Sequence, residues 1–151
     1  MSQENVRVVR ACFEAFDRGD LVVAAGCLDE NVEWDNSVLI DESVLRGREA
    51  VFEYWTRILS TFPFAHEEHR FVDAGEQVCV LAHLRARGSG SGVEMATPCG
   101  DAMTVREGAI VRARFFAAHA EALEAVGLGG VTPAWVDRCL ETELRLRPTT
   151  T

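Results

Sequence analysis

An acid in the middle of an apolar strand face is the first chemical signal in this chain. Every second residue from Val93 onward forms one row: Val93, Met95, Thr97, Cys99, Asp101, Met103 and Val105. The alternate row is Glu94, Ala96, Pro98, Gly100, Ala102, Thr104 and Arg106. Period-two patterning marks a half-buried strand. The bulky row must face a core or a cavity, and Asp101 interrupts it. A carboxyl placed there finds hydrogen-bond partners, shifts its pKa upward, or faces a wet cavity. The pattern is compatible with a structural Asp bonded to nearby backbone, with a one-residue bulge that turns it outward, and with a pocket acid.

The other chemistry-bearing stretches say less. His66-Glu67-Glu68-His69 is not the HExxH zinc motif, and positions three apart on a regular strand point to opposite faces. No metal site is expected there, nor at any Cys/His cluster elsewhere. The run Arg87-Gly88-Ser89-Gly90-Ser91-Gly92 lacks the lysine of a P-loop and the glycine spacing of a dinucleotide site. It is not GxSxG, because Gly90 stands at its centre. Nothing marks a serine nucleophile. No cofactor is expected.

These residues need elements to hold them. Val6, Val9, Phe13 and Phe16 fall at helical spacing behind Ser2, Gly19 stops that helix, and Asp20 caps a second with Leu21, Ala24, Ala25 and Leu28 on its buried face. Val32 and Trp34 alternate with Glu33 in a short strand ending at Asp35-Asn36. Residues 37–46 read as a loop. A third helix follows Gly47, with Val51, Tyr54, Trp55, Ile58, Leu59 and Phe62 repeating at three and four. An aromatic stripe of that kind is core or cavity wall. Residues 64–73 and 77–87 read as strands. Glu107-Gly108 turns the Asp101 strand into a return arm over 110–118. A short helix runs from His119 to Val126, and Thr132-Pro133 starts a last helix to about Arg145, by the Thr cap and the Pro at its first turn.

Helices first and a strand meander after argue α+β with an antiparallel sheet. Such a sheet, curled round the long third helix, would leave a conical cavity open at one end. The chain of 151 residues, 48% apolar, fits one domain with a real core. Residues 1–128 form the expected domain and 129–151 a C-terminal extension. A formal net charge of −9 argues against nucleic acid or an anionic membrane as partner. No signal-peptide pattern or membrane-length apolar run occurs, and five scattered cysteines without a CxxC pair suit a reducing cytosol.

Residues 4–35, the run Arg46-Gly47-Arg48-Glu49-Ala50-Val51-Phe52-Glu53-Tyr54-Trp55, and residues 73–95, 104–116 and 120–128 together resemble the SnoaL-like branch of the NTF2-like superfamily. The resemblance covers roughly residues 4–128. It implies a cone-shaped α+β barrel, a deep apolar pocket and a homodimer. Relatives include polyketide cyclases, ketosteroid isomerases, limonene epoxide hydrolases, dehydratases and non-catalytic binders, so fold does not give the reaction. Aligned at Gly108, Asp101 falls, with a one-residue gap, on the isomerases' neutral oxyanion-hole acid. Their tyrosine falls on Cys12 and their base on Trp34, with Asp35 next. The epoxide hydrolases' Tyr-x-Asn falls on Trp34-Asp35-Asn36, but their carboxylates are absent at Arg85 and Phe115.

The resulting expectation is a cytosolic enzyme doing cofactor-free cyclisation, isomerisation or dehydration on a small apolar polyketide-, terpenoid- or steroid-like molecule. The alternative is a non-catalytic dimeric module that binds a hydrophobic ligand. Asp101 is the expected acid and His83 or Asp35 the base. Trp34, Asn36, Trp55, Arg85, Met95, Thr97, Met103 and Phe115 are the expected substrate contacts. The alignment turns His83 inward, whereas Leu84 and Ala86 make the opposite face of its strand the more apolar one. A homodimer is expected through Ile110, Arg112, Arg114 and Phe116 on the outer sheet face, where two bulky apolar residues exceed what a monomer needs.

Overall fold

A computed structural model describes residues 2–36, 44–87, 94–131 and Ala134. The elements follow the order α1 (Ser2–Asp17), α2 (Leu21–Gly26), β1 (Leu28–Asp35), β2 (Val44–Arg46), α3 (Arg48–Thr61), β3 (Phe64–Ala74), β4 (Gln77–Arg87), β5 (Glu94–Arg106), β6 (Ala109–Phe116) and α4 (His119–Ala125). The strands form one curved sheet in the order β2-β1-β6-β5-β4-β3. All neighbours run antiparallel except β1 and β6, which run parallel. β2 is the one described strand that the sequence pattern did not reveal. It has three residues, too few for periodicity, and exists by pairing with Glu33–Asp35 of β1. The rest of the expected 37–46 loop, the glycine-rich run 88–93 and the expected last helix (Ala134 apart) lie outside the described residues.

Three helices pack on the inner face of the sheet. α1 buries Val9, Cys12, Phe13 and Phe16 against β3–β6, and α3 buries Val51, Tyr54 and Trp55 over β1, β2 and α2. Asp20 caps α2 by accepting a hydrogen bond from the Val23 backbone N–H at 3.2 Å. On the outer face, α4 lays Ala122, Leu123 and Val126 over Cys79, Leu81, Ala102 and Phe116. α4 comes so near β5 that a Cβ built on Gly100 would lie 2.5 Å from the Ala122 Cβ. The β5–β6 hairpin turns at Glu107-Gly108, both with positive φ (51° and 78°), as a two-residue type I′ turn requires.

Two bulges reset the strand alternation. On β6, Thr104 pairs Arg112 while Val105 pairs Ile110, so Val111 is an extra residue. Ile110 thereby turns inward and joins the core instead of the outer face. Phe116 stays on the outer face but lies under α4. The residues nominated for a dimer surface thus leave only Arg112 and Arg114 there, with Arg114 stacked on the Phe116 ring at 5.0 Å. On β3, Glu67 pairs His83 while Arg70 pairs Leu81, which inserts one residue between them. Among the described residues no helix is long and apolar enough to cross a membrane.

Candidate active site

Between α1, α3 and the inner face of the sheet lies a cavity of about 210 Å³. Its wall is aromatic: Phe13 and Phe16 from α1, Trp34 from β1, Tyr54 and Trp55 from α3, Phe64 from β3 and Phe115 from β6. The rings lock edge to face, with Trp34–Trp55 centroids 5.4 Å apart at 89° and Phe16–Trp55 centroids 5.3 Å apart at 75°. Phe62 lines the cavity and remains 45% exposed. Side chains with few rotatable bonds make this a preformed space for a mostly apolar molecule.

Polar groups are few on that wall. Asp101 lines it and is 3% exposed, and among the described residues no hydrogen bond to its carboxyl is found. Burial pushes its pKa up to about 8, so the acid holds its proton at neutral pH. Asn36 is equally buried, and its Oδ1 accepts the Trp34 indole N–H at 3.0 Å, which leaves the amide N–H groups for another acceptor. Cys12 also lines the cavity. Its pKa is driven well up, first by its hydrogen bond with Cys27 and then by burial, so it stays a thiol rather than a nucleophile.

His66 is the remaining polar group of consequence, and periodicity alone did not select it. Asp17, the last residue of α1, holds it. The Asp17 Oδ1 accepts both the His66 backbone N–H and its ring Nδ1–H, each at 2.9 Å. Asp17 Oδ2 lies 3.1 Å from His69 Nε2, near enough for an ion pair but off line for a hydrogen bond. Burial alone would raise the Asp17 pKa, but the contacts from His66 and His69 outweigh it and hold it at about 2. The β3 bulge explains why two histidines three apart share a side. On a regular strand they would face opposite ways. The extra residue restores the phase, so Phe64, His66, His69 and Phe71 all meet the inner helices, with the two imidazole centroids 5.9 Å apart. The expectation of no metal site at this motif rested on the unbulged geometry. Donor atoms of Asp17, His66 and His69 lie within 4.8 Å of one another, and all three are types that hold divalent metals.

The cavity brings together six of the expected site residues: Asp101, Trp34, Asn36, Trp55, Thr97 and Phe115. Four others sit elsewhere. His83 follows its strand's periodicity rather than the alignment: it points to the outer face, its ring 5.4 Å from that of His119, whose Nε2–H donates to the Ala82 carbonyl. Asp35 alternates away from Trp34 and pairs across β1–β6 with Arg114. Arg85 lies on the outer face with Glu67, Nε to Oε2 2.5 Å. Met103 is wholly buried in the core beside the cavity instead of lining it. The Met95 side chain is outside the described residues.

A curved mixed sheet with helices packed into its concavity, enclosing an apolar cavity, is the NTF2-like architecture. Within that class, the chain belongs to the SnoaL-like domain family, whose model matches residues 9–113. Among solved structures it is similar to a candidate polyketide cyclase from Xanthomonas campestris pv. campestris. The two share 24% identity over 83% of this chain and 98% of that one, with a TM-score of 0.69. It is also similar to Bal32a from a soil-derived mobile gene cassette (20% identity, 76% and 89% covered, TM-score 0.68). A third is a hypothetical protein of ketosteroid isomerase-like fold from Catenulispora acidiphila, in complex with trimethylamine (16% identity, 80% and 92% covered, TM-score 0.65). No curated protein matches the sequence.

Proposed function

We propose that this SnoaL-like protein is an enzyme of proton-transfer chemistry, acting on a small, mostly apolar ring compound that carries a carbonyl. Aldol cyclisation, double-bond isomerisation next to a carbonyl and dehydration of a β-hydroxycarbonyl by loss of the α-proton pass through an enol or enolate, whose oxygen needs a hydrogen-bond donor that does not ionise first. The observation that carries this reading is Asp101: a carboxylic acid kept neutral by burial and facing an aromatic cavity. Such a donor in a water-poor site is worth about 10²–10³ in rate. Asn36 offers a second set of N–H groups on the same wall. The candidate polyketide cyclases among the structural relatives agree with this class of substrate.

Exchange of α-protons in D2O tests the reading directly. With 2-tetralone, a bicyclic ketone, as probe, the protein should catalyse α-deuteration, followed by NMR. Asp101→Asn should slow it about 10²-fold while leaving quenching of Trp34 and Trp55 fluorescence by the ketone intact. Quenching without exchange in the wild-type protein would instead favour a module that only binds hydrophobic ligands.

A further inference from the structure

Proton abstraction needs a base in the same cavity as Asp101, and the two bases nominated by sequence face the other side of the sheet. The geometry points to His66 as that base, with Asp17 holding it in position. This assignment rests on the proton-transfer reading above.

The argument starts at Asp17. A carboxylate can only accept hydrogen bonds, and its Oδ1 stands 2.9 Å from His66 Nδ1. Nδ1 therefore carries a proton, and in the neutral form of the ring the lone pair sits on Nε2, at the opposite edge. The second bond to the same oxygen, from the His66 backbone N–H at 2.9 Å, ties the carboxylate to the strand as well as to the ring. Phe13 meets the imidazole edge to face at 4.9 Å, and Phe16 and Phe64 lie 5.5 and 5.8 Å from it. The ring is therefore clamped on the cavity wall in one tautomer and one orientation, which is what a base requires. His69 Nε2 stands 3.1 Å from the other carboxylate oxygen.

The step balances with these groups alone. His66 Nε2 takes the proton from the carbon beside the substrate carbonyl. The C–H pair becomes the new C=C bond, and the carbonyl π pair moves onto oxygen, where the neutral Asp101 carboxyl donates a hydrogen bond. Asp17 offsets the positive charge of the imidazolium, as the carboxylate does in Ser-His-Asp sites. The imidazolium then exchanges its Nε2 proton with solvent, taking deuterium in D2O, and delivers it to the original carbon or to another.

The same 2-tetralone exchange assay decides the assignment. His66→Gln should lose about 10²-fold or more of the exchange rate. Asp17→Asn should lose a comparable factor, and His69→Gln less than about tenfold. A readout that a structural role would not move is the ring tautomer. In ¹⁵N NMR of the wild-type protein His66 should be protonated at Nδ1 and bare at Nε2, and Asp17→Asn should shift that balance. Full exchange in a folded His66→Gln variant overturns the assignment while leaving the proton-transfer reading intact. An Nε2–H tautomer also overturns it, and needs no variant to fold. Exchange abolished by EDTA and restored by Zn²⁺ overturns the free imidazole in favour of a metal bound at Asp17, His66 and His69. An inert wild-type protein counts against the proton-transfer reading itself and takes the assignment with it.

Discussion

A buried carboxyl and a half-buried one pull the stability of this protein in opposite directions with pH. Asp101 has its pKa raised by burial to about 8 from the 3.8 of a free Asp. Below about pH 4 both the folded and the unfolded chain hold the proton, and the group costs no pH-dependent stability. As pH climbs from there towards 8, the unfolded chain releases a proton that the folded chain keeps, and stability falls by up to ~1.4 kcal/mol per pH unit. Asp101→Asn removes that slope. Its melting temperature should rise relative to wild type between pH 5 and 8, and a constant difference across that range would refute the neutral buried acid. Asp17 has the opposite sign. Its pKa is lowered to about 2, so its contribution is present above about pH 4 and lost as pH falls through 2. Asp17→Asn should cost about 2 kcal/mol at pH 6 by the same conversion, and acid titration of both proteins by circular dichroism should close that gap near pH 2.

Bulges and close contacts, more than the strands themselves, decide what faces the cavity. The alternation of β5 is legible residue by residue: Thr97, Asp101, Met103 and Val105 do face inward, and Gly100 and Ala102 face α4. The same rule misplaces Ile110 on β6 and separates His66 from His69 on β3, because one added residue inverts every side chain beyond it. Gly100 has a different reason for its identity. Gly100→Ala would set a Cβ 2.5 Å from that of Ala122, so α4 must move off the sheet. The expected loss is about 1–3 kcal/mol in a denaturant titration. Ala122→Gly on that background should recover part of it, and strictly additive losses would show that the contact does not limit the fit of α4.

As a whole molecule, the protein buries one core between its inner helices and the sheet and a second under α4. Val131 is the last described residue packed on either of them. A chain ending after Val131 should therefore retain a cooperative thermal transition and the tryptophan quenching of the full chain. A molten product would show that the residues beyond it belong to the core. Of the four side chains expected on the outer face of β6, Ile110 turns into the core and Phe116 lies under α4, while Arg112 and Arg114 remain on that face.

Periodicity, caps and turn residues were enough to determine the α+β class, nine of the ten described elements and the inward face of β5, because each follows from contacts within a few residues along the chain. The apolar row that Asp101 interrupts was legible for the same reason, but whether the acid was structural, turned outward by a bulge or in a pocket was left to the packing. The base was not legible. Asp17 and His66 are 49 residues apart, and nothing local to either says that the end of α1 will meet the start of β3. His69 joins them only through a backbone irregularity that leaves no periodic trace. His83, placed inward by alignment, faces outward because its strand keeps an unbroken alternation with Leu84 and Ala86. Tertiary structure decided the site because a pair such as Asp17 and His66 is a long-range contact, set by which elements pack together and where a strand slips by one residue.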